Sequence, residues 1–154
     1  MSVQATTVMT LEATSGSIVP AGALTLEAGT GIVIQDSMES TAGASKPMVI
    51  NADYVTPGDG ALTVIATKAV KSNNNDLTVT AHDIIIDGDF TAGSAVLSIH
   101  SSVSGQTIGL GSTAGTMHIE SQELEHMTAA NGMVLGKKTD GGTITVANIS
   151  EVNS

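Results

Sequence analysis

The sequence predicts an all-β fold of the β-solenoid class, on three observations. A five-residue strand motif recurs eight times. Its copies return at one constant step from Val79 to Ile99 to Ile119, of a size typical of stacked repeats. The apolar residues are almost all aliphatic, with Tyr54 and Phe90 the only aromatics, so the core has to be thin and layered. A chain of 154 residues is read as one domain spanning 1–154.

In the motif two core-type residues flank Thr or another tolerant residue, followed by a variable position and a small one. It reads Met9-Thr10-Leu11-Glu12-Ala13, Leu24-Thr25-Leu26-Glu27-Ala28, Met48-Val49-Ile50-Asn51-Ala52 and Leu62-Thr63-Val64-Ile65-Ala66. It continues as Leu77-Thr78-Val79-Thr80-Ala81, Leu97-Ser98-Ile99-His100-Ser101, Met117-His118-Ile119-Glu120-Ser121 and Ile144-Thr145-Val146-Ala147-Asn148. Alternation of this kind is the period of a half-buried strand, with positions 1, 3 and 5 inward and 2 and 4 outward. The third positions fall at Leu11, Leu26, Ile50, Val64, Val79, Ile99, Ile119 and Val146, so the steps are uneven at both ends of the series. Val79, Ile99 and Ile119 give the cleanest register, and the uneven steps imply looped-out corners or motifs on different sides of the stack.

Second strands lie between the motifs: Gly31 to Ile34, Asp83 to Gly88, Gln106 to Gly111 and Gly132 to Gly136. Gly, Asp and Asn bound each one and supply tight corners. The stretches TPGDG (56–60) and KSNNND (71–76) read as corners extended outward. The one helical candidate is SQELEHMTAA, residues 121–130, where Ser121 leads into glutamates in the manner of a weak capping box.

Charge excludes some partners. Lys46, Lys68, Lys71, Lys137 and Lys138 are the only basic side chains against 15 acids, for a net charge of −10. Nucleic acid is therefore an unlikely partner, since phosphate binding needs a basic face. With no Cys, disulfides and thiolate metal sites are out. The start MSVQATTVMTLEA has no basic segment followed by an apolar stretch, and no apolar run is long enough to span a bilayer, so neither a signal peptide nor a membrane span is expected.

The stretch from Leu77 to Ile149, with LTVTAHDIIIDGDFTAG, QTIGLGSTAGTMHIESQEL and GMVLGKKTDGGTITVANI, resembles the degenerate repeats of filamentous-haemagglutinin-type surface proteins. That resemblance implies a right-handed parallel β-helix, exported to the cell surface and used for adhesion or as a fibre shaft. The competing fold is an antiparallel β-sandwich or barrel, which also has many short strands but seldom repeats one motif.

If Val79, Ile99 and Ile119 stack, Thr80, His100 and Glu120 form one outward column about 4.8 Å apart. With His118 on the same face, His100 and Glu120 become candidate metal ligands, set against the plainer reading of a solvated strand face. Asp87, Asp89 and the run Asn73 to Asp76 offer oxygen ligands suited to Ca²⁺, although Asn and Asp are also the ordinary corner residues. Neither assignment calls for a cofactor, and none is expected.

Thr at position 2 of five motifs raises ice binding, but position 4 lacks the second Thr file that a two-file array needs. A polysaccharide-acting enzyme is disfavoured, because Arg and Trp are absent and no nucleophile-elbow, zinc-protease or phosphate-loop motif occurs. The first motif begins at Met9 and the last ends at Asn148, leaving no room for a capping helix. The expectation is therefore a non-catalytic structural or adhesive segment at the cell surface, either a slice of a longer β-helix or a subunit that stacks end to end into filaments through its terminal strands, presenting loops to a glycan or host surface.

Overall fold

In a computed structural model, residues 1–55, 57–139 and 141–150 are described. Thr56 of the TPGDG corner and Asp140 of the KKTDGG stretch lie outside them. The strands are β1 (Ser2–Ala5), β2 (Met9–Leu11), β3 (Leu24–Ala28), β4 (Gly31–Ile34), β5 (Met38–Glu39), β6 (Met48–Asn51), β7 (Ala61–Val64), β8 (Ala69–Lys71) and β9 (Leu77–Ala81). They continue as β10 (Asp83–Ile86), β11 (Asp89–Gly93), β12 (Leu97–Ser101), β13 (Ile108–Gly111), β14 (Met117–Ile119), β15 (Met127–Ala129), β16 (Met133–Leu135) and β17 (Ile144–Ala147). Among the described residues one helix, α1 (Ser121–Glu125), interrupts them.

The fold is all-β, and every strand pair among the described residues is parallel. That excludes the antiparallel sandwich. The first sheet runs β1-β3-β6-β9-β12-β16, the second β10-β7-β4-β2, the third β15-β11-β8-β5 and the fourth β14-β13-β17. From β3 to β11 the chain visits the first three sheets in strict rotation. Corners rather than hairpins join successive strands, so a strand in these sheets finds its partner only after a full round of the chain, as Leu77 does in Leu97 and Ala69 in Asp89.

Register follows the motif. Leu26, Ile50, Val79 and Ile99 align in one column of the first sheet, and β3, β9 and β12 alternate buried and half-buried residues along their length. The fully buried Phe90 stacks between Val70 and Met127 in the third sheet. The motifs do not share one side. Those at Leu24, Met48, Leu77 and Leu97 lie in the first sheet, while those at Met9 and Leu62 lie in the second. The motifs at Met117 and Ile144 lie in the fourth sheet, so the uneven steps come from motifs spread over three sheets.

The even register breaks after Ile99. Its partner on the far side is Leu135, and Ile119 pairs with Leu110. Between them the chain adds a strand: β13 pairs in parallel with β14, although only residues 112–116 connect them. Parallel neighbours ordinarily need a much longer crossover. Here the return passes directly over β13, and a Cβ on Gly109 would overlap the Thr113 carbonyl oxygen and the backbone of Ala114 and Gly115. All four residues of β13 are consequently buried.

Side chains staple the corners. Asp36 accepts hydrogen bonds from Lys68 Nζ at 2.6 Å and from the Ala13 amide at 3.0 Å, tying three successive passes of the chain. The Lys68 hydrogen bond, then that from Ala13, hold its carboxyl below the usual carboxylate range. In the extended 71–76 corner, Asn75 Oδ1 accepts from the Lys46 amide while its Nδ2 donates to Gly43 O, both at 2.9 Å. Asn74 Oδ1 accepts from the Ser94 amide at 2.9 Å, and Asp76 Oδ1 from that of Val96 at 3.2 Å.

Candidate functional site

A polar cleft of about 610 Å³ lies beside β10, where the strand rotation is interrupted. It exists because β14 and α1 replace a simple continuation of the second sheet. β14 lies alongside β10 with Asp83 Oδ1 accepting the His118 amide at 3.0 Å, where a strand carbonyl would ordinarily serve. The chain then turns into α1, and Glu123 completes the edge. Its Oε1 accepts the Ile86 amide at 3.0 Å and its Oε2 the Glu120 amide at 2.9 Å.

This second contact is half of a capping box with Glu120 at the N-cap. The expected box therefore forms one residue earlier than Ser121, and the helix ends at Glu125 instead of running to 130. Met127 to Ala129 form β15 because Met127 is drawn under Phe90 in the third sheet.

Glu123 is only 9% exposed. Burial pushes its carboxyl above the usual range, against the lowering effect of the Glu120 and Ile86 amides. Glu123→Ala leaves both amides without that acceptor and is expected to cost about 1–3 kcal/mol, read as a shift of the urea midpoint. A raised carboxyl favours the folded state when protonated, so its contribution is full below the ordinary value of 4.5 and is lost as pH rises through the folded value. The alanine variant should lack that component of the stability profile.

Asp83, Asp87, Glu120, Glu123 and Glu125 line the cleft with His118 and His126, around the exposed Ile85. Of the candidate ligands, Asp87, His118 and Glu120 are thus brought to one cleft. His100 is not: it pairs with Thr80 in the first sheet, and the expected His100–Glu120 column fails because the added β13 shifts Ile119 out of line with Ile99. His118 turns its Nε2 to Gly111 O at 2.8 Å. Asp89 lies on β11, its Oδ1 3.9 Å from His126 Nδ1.

Among the described residues no group of three or more His, Asp or Glu side chains is set to hold a metal ion. The oxygens of Asn74, Asn75 and Asp76 meet backbone donors of neighbouring passes. Sequence reasoning missed Glu123 and His126, whose signal was present only as a Glu-rich turn. What draws Glu123 inward is the Ile86 amide, which local sequence does not reveal.

The five motif threonines also divide. Thr25 and Thr78 face out from the first sheet, Thr10 and Thr63 from the second, and Thr145 lies in the fourth. No single Thr file forms. No helix of the described residues is long and apolar enough to cross a membrane. Compared with protein families, curated proteins and solved structures, the chain matches none.

Proposed function

We propose that the chain is a non-catalytic structural segment, a β-solenoid rod whose three faces carry loops outward. The observation that supports this most is the constant register of the first sheet. Its six strands keep the same columns although the chain makes a short round from Leu77 to Leu97 and a far longer one from Leu97 to Met133. Such an arrangement accommodates variation in its corners and leaves the shaft unchanged. The right-handed form and the placement at a cell surface rest on the resemblance to filamentous-haemagglutinin-type proteins. Self-association through terminal strands, and a glycan or host-surface ligand for the loops, belong to the same reading.

The acidic cleft favours no alternative. A sugar-cleaving site needs two carboxylates flanking a bound ring. Here Asp83 and Glu123 are committed to backbone amides. Incubation of the protein with a panel of acidic and neutral polysaccharides is expected to give binding to immobilised glycan or none, with no shortened products. Release of reducing ends or unsaturated sugars would overturn the structural reading.

A further inference from the structure

We infer that two copies of this chain pair symmetrically through the end that carries β15, β16 and β17. The inference rests on the solenoid reading above and concerns which surface self-associates. At the opposite end the three sides start level, with β1, β2 and the Ile18 bridge to Met38 each forming one layer. At this end they do not. The third sheet is five layers deep counting Ile18, and the first sheet six. The second side is seven deep, because β14, β13 and β17 continue beyond β10. The added β13 makes the extra layer, so the end is a staircase of five, six and seven.

A staircase does not fit a level surface. Head-to-tail stacking would leave gaps of one and two strands. A twofold axis through the first sheet, perpendicular to the stack, maps that sheet onto itself and exchanges the other two. The tall side of each copy then meets the short side of its mate, and all three sides become equally deep. Such an isologous contact closes on itself. It sets β16 antiparallel to its counterpart and β17 against the mate's β15.

Surface chemistry agrees with the shape. Ile144 and Val146 of β17 follow the inward columns of Ile108 and Leu110, yet are 44% and 57% exposed. Val134 on β16, in the outward column of Thr78 and Ser98, is 47% exposed and lies on the strand nearest the mate. Ile144 and Val146, inward-facing aliphatics without a layer above them, mark an edge able to pair with another chain. Two of the chain's five lysines, Lys137 and Lys138, follow β16 at this end and reduce the repulsion between two chains of net charge −10.

The absence of cysteine allows a clean test. Sedimentation velocity of the 154-residue protein is expected to show a dimer, and Val146→Asp to weaken it by more than about tenfold in Kd while leaving the β-sheet circular dichroism intact. A Val134→Cys variant should cross-link to itself through a short bismaleimide. A mixture of Ser2→Cys and Val134→Cys chains should give no mixed product. A monomer at all concentrations, or a mixed Ser2–Val134 product, overturns the pairing. Either result leaves the structural reading standing, whereas sugar products with an intact dimer would do the reverse.

Discussion

Ile50→Ala is expected to cost about 2–5 kcal/mol, a large loss for a single truncation in the stacked core. Ile50 is fully buried between Leu26 and Val79 in the column that Ile99 continues. A layered core has no bulky neighbour that can move in, since the residues above and below are fixed by their own strand pairing, so the cavity stays open. The outward Thr25→Ala, on the neighbouring strand, is expected to stay within about 0.5 kcal/mol. Urea unfolding of the two variants measures the contrast. A similar midpoint for both would mean that the column does not carry the stability.

Gly109→Ala is the second large effect, expected at about 3 kcal/mol, the upper end for overpacking. The atoms that a methyl group would meet are backbone atoms of Thr113, Ala114 and Gly115, and no side chain can swing aside. The return of residues 112–116 has to lift from β13, exposing Ile108 and Leu110 and loosening β17, which pairs with β13 on its other edge. Because stacked layers interact with nearest neighbours, the damage should remain local. Hydrogen exchange is expected to accelerate at the amides of 108–119 while those of Leu26 and Ile50 keep their protection. Uniform loss across the chain would show instead that the molecule unfolds as one unit.

These two positions mark what the sequence discloses and what it conceals. The Ile50 column was legible because strand periodicity and the tolerance of position 2 are local properties of the motif. Which side each motif occupies was not. The step from Leu11 to Leu26 changes sheets and the longer step from Leu26 to Ile50 stays within one, a difference that shows only once partners are known. The step from Ile99 to Ile119 misled for a related reason. Its length repeats that from Val79 to Ile99, but it contains β13, and Ile99 meets Leu135. The strand itself was legible from Gln106 to Gly111, but its pairing with β14 was not, because the glycines at 109 and 115 that permit the close return resembled ordinary corner residues.

The candidate site was legible only as a list of residue types. Asp87, His118 and Glu120 converge because β14 and α1 displace a continuing strand beside β10. Their pairing with His100 depended on the register that β13 breaks. Glu123 takes its importance from the distant Ile86 amide, a relation that composition and spacing do not encode.

The short return between β13 and β14 also bears on the order of events in folding. Ile108 meets Met117 across a single tight loop, whereas the other ladders among the described strands wait for a full round of the chain, such as that from Ala69 to Asp89 or from Leu77 to Leu97. Each halving of a closing loop saves about 0.6 kcal/mol of chain entropy, so this pair is the cheapest to form in an otherwise non-local topology. Folding is therefore expected to nucleate near this end, with layers zipping toward the other. Gly109→Ala should accordingly depress the refolding arm of the chevron more than it raises the unfolding arm, and Ile50→Ala should do the opposite.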